Sequence, residues 1–161
     1  MKQLKAIETD RYSMDYILPT FISSILIIIG WAVLFGNAKK ISSRAETKSL
    51  IDLIVNKIDT LTTFSTKYWL NSEADPAVYE LQVMNQITQI CGLMNLLPSR
   101  GIDVTFQDIE ELILKCTLNC ETIVNMEPSQ KRINAHDVNS ISIRCIENLY
   151  KTFQQKHAPV N

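Results

Sequence analysis

The chain carries two kinds of hydrophobic pattern. From Tyr16 to Ala38 it reads YILPTFISSILIIIGWAVLFGNA, with Asp15 before it, Lys39 after it and no ionisable side chain between. Ile25 to Ile29 is an unbroken apolar run. A soluble helix shows a polar stripe every three or four residues, and this stretch has none. As a helix rising about 1.5 Å per residue it would be roughly 34 Å long, enough for a hydrocarbon core of about 30 Å. The pattern predicts one membrane-spanning helix over 16–38, behind a short polar tail over 1–15. Pro19 falls in the first turn of that helix, where a missing N–H costs least.

Beyond Lys40 the apolar positions are spaced instead of continuous. Ser43-Arg-Ala-Glu46 has the form of a capping box, and Ile51, Ile54, Val55, Ile58, Leu61, Tyr68 and Trp69 recur on one helical stripe. This helix runs on from the span with little break and ends near Asn71. Asp75-Pro76 opens a second helix, Asp as cap and Pro at the first position. Its stripe is Val83, Met84, Ile87, Ile90, Cys91, Met94 and Leu97, closed by Pro98 and Gly101. Thr105-x-x-Asp108 signals a third, with Ile109, Leu112, Ile113, Cys116, Cys120 and Ile123 inward and Glu127-Pro128 as its stop. The polar stretch Ser129 to His136 reads as a joint. A last helix begins at about 134–137, buries Val138, Ile141, Cys145, Leu149 and Phe153, and frays through QQKHAPVN. The reading is all-α: one N-terminal transmembrane helix, a cytoplasmic antiparallel four-helix bundle over 39–157, and a flexible tail over 158–161.

Composition narrows this picture. Among 161 residues there are four glycines and five prolines, few for a loop-rich β protein, and a formal net charge of −1 gives no basic field that would point to nucleic acid. Gly36-Asn37-Ala38 has the small-x-small form of a signal-peptide site. Against cleavage, the leader carries Glu8, Asp10 and Asp15, and the apolar stretch exceeds the usual signal core of roughly 7–15 residues. Lys2, Lys5 and Arg11 flank the span on one side, and Lys39, Lys40, Arg44 and Lys48 crowd the other, which sets the C-terminal domain in the cytoplasm of an inner (plasma) membrane protein. Lys39, Lys40 and Arg44 then lie at the level of anionic headgroups. Four cysteines, all beyond the span, and the lack of any Asn-x-Ser/Thr sequon suit a reducing compartment.

Within the span, Ala32 and Gly36 form a small-xxx-small pair, and Ser23, Ser24 and Gly30 are small as well. Small residues let helix backbones approach in lipid, which makes this a candidate self-association surface and the protein a candidate homo-oligomer. The bland alternative is chance: any span of this length holds some small residues.

Candidate chemistry is sparse. Cys116 and Cys120, four apart, are expected on one helix face, with Cys91 and Cys145 on neighbouring inner stripes. The C-x₂-C loop spacing of structural zinc is absent, and buried cysteine ordinarily packs as a small apolar side chain, so no metal is assigned. Arg132 and His136, beside Asp137, are the one candidate catalytic pair, a cation next to a general acid/base. The plainer reading is a solvated loop, and His157 in the tail is expected to face water. No P-loop, Gly-rich dinucleotide turn, Gly-x-Ser-x-Gly elbow or His-Glu-x-x-His pair occurs, so no cofactor is expected.

In layout, the single span followed by a helical bundle with an Arg/His joint resembles the small membrane accessory proteins of type VI CRISPR loci. Those carry a divergent HEPN-type bundle and assemble into membrane pores. The likeness covers residues 16 to 157 as architecture. The HEPN ribonuclease motif sets four to six residues between Arg and His; here Arg132 and His136 have three between them, and Lys131 to His136 leaves four. The resemblance implies a self-associating protein that perturbs or perforates the membrane in antiviral defence. Two alternatives follow: a membrane-tethered HEPN-like ribonuclease using Arg132 and His136, and an anchored scaffold recruiting a cytosolic protein partner.

Overall fold

The computed structural model describes residues 2–71, 75–103 and 107–158, with side chains described from Pro19 onward. The described residues form four α-helices and two short 3₁₀ segments, with no strand among them: α1 (Lys2–Leu70), α2 (Pro76–Met94), a 3₁₀ turn (Pro98–Arg100), α3 (Gln107–Thr117), a second 3₁₀ segment (Cys120–Asn125) and α4 (Pro128–Lys156). The chain divides into two compact units, Met1–Arg44 and Ala45–Asn161.

The first unit is helical backbone throughout its described length. The helix already begins at Lys2, so the short polar tail is helical over 2–15. Pro19 consequently lies inside α1 instead of in a first turn, where its ring removes one backbone hydrogen bond. Ser43 is likewise internal, because α1 continues unbroken to Leu70. A capping box needs a chain entering from a non-helical conformation, which is missing here, and Glu46 instead pairs with Arg100 at 2.6 Å.

The second unit is built on one core. Ile51, Ile54, Ile58, Leu61, Tyr68 and Trp69 of α1 meet Tyr79, Val83, Ile87, Ile90 and Met94 of α2, and α3 and α4 close over them. The predicted α4 stripe, Val138, Ile141, Cys145, Leu149 and Phe153, is buried at every position. Asp75 caps α2 as its sequence predicts, its carboxylate accepting from the Ala77 N–H at 2.9 Å. Gly101 closes the turn that follows, with φ +68 in the left-handed region, and a Cβ there would run into the Lys156 ammonium, which donates to the Arg100 carbonyl.

Two boundaries differ from the pattern, and a third falls where nothing is described. Residues 104–106 lie outside the described residues, and with them Thr105 of the predicted cap. The third helix stops at Thr117, since Asn119 takes a left-handed conformation (φ 59) and Cys120 opens a 3₁₀ segment. Cys116 and Cys120 therefore share no α-helical face, although both are buried. Glu127-Pro128 starts α4 instead of stopping α3: proline stands at the first helical position, where no N–H is needed, and the supposed joint 129–136 is the first two turns of α4.

Polar links tie α4 to its neighbours. Arg144 pairs with Asp108 at 2.9 Å and with Glu111, Asn148 donates to Asp108 at 2.6 Å, and Lys115 meets Asp137 at 2.7 Å. Tyr150 donates to Asp52 of α1 at 3.0 Å.

Candidate functional site

Two surfaces bear on function, one in each unit. In the first, the 19–38 stretch of α1 places its apolar side chains outward on every side: Phe21, Ile25, Ile28, Trp31, Leu34 and Phe35 are all exposed, and none of the most apolar window is buried. This is the one helix among the described residues that is long and apolar enough to cross a membrane. Ser24 returns its hydroxyl to the Thr20 carbonyl at 2.8 Å. Its donor is thereby satisfied within the helix, as an apolar solvent demands.

The helical register sorts the small residues. At about 100° per residue, Ser23 and Gly30 fall within roughly 20° of one another, and Ala32 and Gly36 within roughly 40°, on nearly opposite sides of the helix. Ser24 lies between these arcs. A Cβ built on Gly30 or Gly36 meets no atom within 4 Å. Four of the five small residues thus fall on two opposed arcs, and Ser24 on neither. Lys39 and Lys40 are exposed beyond the last apolar turn, with Arg44 one turn past Lys40.

In the second unit, Arg132 and His136 sit one turn apart on α4, both exposed. His136 is 79% exposed, with Nδ1 3.5 Å from Ser140 Oγ and 4.0 Å from the Asp137 carboxylate. Neither side chain lines the α1–α2 groove or the small apolar cavity bounded by Leu61, Ile87 and Leu112. A general acid/base needs a bound substrate held against it and water kept away, and this open helix face supplies neither. His157, expected in water, instead caps α4 half-buried, its ring 4.7 Å from Phe153.

A groove of about 340 Å³ lies at the junction of α1 and α2, lined by Phe64, Lys67, Tyr68, Asp75, Tyr79 and Gln82 among others. Its floor is structural. Tyr68 and Tyr79 stack with centroids 3.5 Å apart, and their hydroxyls donate to the Cys120 and Cys116 carbonyls, tying the 3₁₀ segment and α3 to the first two helices. Burial pushes the Tyr68 phenol up to about 12 and the Tyr79 phenol higher still.

The four cysteines are free thiols. Burial raises Cys116 to about 11 and Cys145 to about 12, and raises Cys120 as well, so these three stay protonated and unreactive at neutral pH. Ser65 donates to the Cys116 sulfur at 3.4 Å. Among the described residues no three His, Cys, Asp or Glu side chains converge as a metal site would need.

Helix α2 carries a single ionic side chain over nineteen residues, Glu80, and its Gln89 accepts from the Lys57 ammonium of α1 at 2.8 Å. Comparison with protein-family models, curated proteins and solved structures returns no match for this chain.

Proposed function

We propose that the protein is a single-pass inner-membrane protein, anchored by residues 16–38, which self-associates and perturbs or perforates the bilayer from a cytoplasmic helical bundle. One observation carries this reading: a helix whose uncharged apolar side chains point outward in every direction, with none of its apolar window buried. Its Ile, Leu, Phe and Val residues each favour the bilayer centre by roughly 0.3–0.6 kcal/mol, which together amounts to several kcal/mol. A core helix would bury this surface inside its own chain, and this one does not.

Assembly follows from the two small-residue faces. One helix cannot enclose a pore, so perforation needs several copies. Opposed faces let each copy meet one neighbour with Ser23 and Gly30 and another with Ala32 and Gly36, the head-to-tail contact from which rings close. Lys39, Lys40 and Arg44 hold the cytoplasmic end at anionic headgroups. The link to antiviral defence rests on the architectural resemblance alone.

Mass measurement of the intact protein in nanodiscs, paired with dye leakage from vesicles, tests the proposal. An assembly of four or more copies with leakage is the expected result; a monomer that leaves vesicles tight overturns it. The tethered-ribonuclease reading keeps one favourable observation, that Arg132 and His136 share an exposed face of α4. RNA degradation that survives His136→Ala eliminates it.

A further inference from the structure

Helix α3 is fastened differently at its two ends. At the C-terminal end the ties are buried and run to α1 and α2. Tyr79 donates to the Cys116 carbonyl at 2.8 Å, Ser65 to the Cys116 sulfur at 3.4 Å, and Tyr68 to the Cys120 carbonyl just beyond. Towards the N-terminal end this reverses. Among the described residues, the side-chain hydrogen bonds and ion pairs of 107–115 all go to α4, and none to α1 or α2. Arg144 carries most of them: it holds Asp108 at 2.9 Å and Glu111 as well, and is itself 47% exposed. Lys115 and Asp137 are also partly open to water.

Apolar packing towards that end is imperfect. Ile109 and Leu112 are buried, yet their contact with Leu61, Ile87 and Ile90 encloses the small apolar cavity, which is too small to hold a water molecule. Atoms facing such a void lack dispersion partners on one side. Beyond Thr117 the left-handed Asn119 (φ 59) breaks the helical run, so α3 is a short rod distinct from the segment that follows.

We infer that α3 is a hinged flap, pivoting at Cys116–Cys120 and opening from its N-terminal end, with Arg144 as its latch. A segment opens locally where few well-packed contacts and mostly exposed bonds hold it. Exposed ion pairs are individually weak and screened by salt, whereas the buried tyrosine bonds are not. The flap therefore answers to ionic strength at one end only. Arg144 does more than form one pair. Asp108 and Glu111 stand one turn apart, so without the guanidinium between them the two carboxylates repel. Opening uncovers Ile109 and Leu112 and the α1 and α2 side chains beneath them while the tyrosine bonds stay made. The device lies wholly in the second unit and stands whether or not residues 16–38 enter a bilayer.

Hydrogen exchange read by mass spectrometry on the full-length protein in detergent tests it. Amides of 111–115, which donate within α3, report the flap, and amides of 54–61 in α1 report unfolding of the whole unit. The expected result is faster exchange at 111–115 than at 54–61. Arg144→Gln should speed 111–115 by roughly 3- to 10-fold and leave 54–61 within about twofold. Salt at about 1 M should move the native protein the same way. Lys48→Gln, which breaks an exposed pair with Asp52 on α1, should leave 111–115 unchanged. Unchanged exchange at 111–115 in Arg144→Gln overturns the proposal, and so does an equal rise at 54–61. Should Arg144→Gln fail to fold, Arg144→Lys carries the test, since an ammonium lacks the fork that grips two carboxylates: a rise confined to 111–115 supports the flap, and an equal rise at 54–61 overturns it.

Discussion

Helix α1 contains two isoleucine-rich stretches with opposite fates. Ile25, Ile27, Ile28 and Ile29 lie consecutively or nearly so, and all are exposed; Ile51, Ile54 and Ile58 stand three and four apart, and all are fully buried. Residue type is the same, and only the interval differs. Spacing at the helical period gathers apolar atoms onto one side, where neighbouring helices cover them; an unbroken run spreads them around the circumference, where no single protein surface reaches them all. An apolar solvent, as proposed above for this segment, would cover every side of such a run at once.

The largest expected effect lies in the spaced stretch. Ile58→Ala should cost about 2–5 kcal/mol of unfolding free energy in the second unit, measured by urea titration, whereas Ile28→Ala should change that titration by less than about 0.5 kcal/mol. Equal losses at both sites would erase the distinction. Next comes charge in the continuous stretch. Ile28→Arg should weaken membrane insertion by about 2.5–3.5 kcal/mol, seen as release on carbonate extraction, and Leu53→Arg, on the exposed side of α1, should leave extraction unchanged.

A smaller effect separates the units by pH. The folded Tyr68 phenol holds its proton up to about 12, against an ordinary value of 10.0. The unfolded chain loses that proton first, so the stability this supplies is complete below pH 10 and drains as pH climbs towards 12. Alkaline denaturation should therefore unfold the second unit over that window, with a shallower limb in Tyr68→Phe. That substitution should itself cost about 0.5–1.5 kcal/mol at neutral pH through the lost bond to the Cys120 carbonyl. Smallest is a labelling contrast. At neutral pH a thiol reagent should modify half-buried Cys91 well before Cys116, Cys120 or Cys145, read by mass spectrometry.

Much of this was legible in the chain because period and burial are tied by helix geometry. The span and the inner stripes of α1, α2 and α4 follow from that link, although Met84, placed on the α2 stripe, is exposed. What escaped depends on context beyond a local motif. Proline at position 128 reads equally as a stop or as a first residue, and only what precedes it decides. A left-handed Asn119 leaves no trace in a hydrophobic pattern. Ser43 to Glu46 matched a cap, but the helix upstream of it never ends. Of the candidate sites, the uncharged run of α1 is plain in the chain, whereas the setting of Arg132 and His136, exposed in the first turns of α4, depends on where that helix begins.

The bond between Tyr150 and Asp52 joins residues 98 positions apart, and it sets an order of events during synthesis. The helical domain cannot close until α4 has left the ribosome. By then the apolar segment has been outside for roughly 5–20 s, at elongation rates of about 5–20 residues per second. In the anchored reading proposed above, delivery of that segment to a bilayer thus has a head start over closure of the helices that follow it.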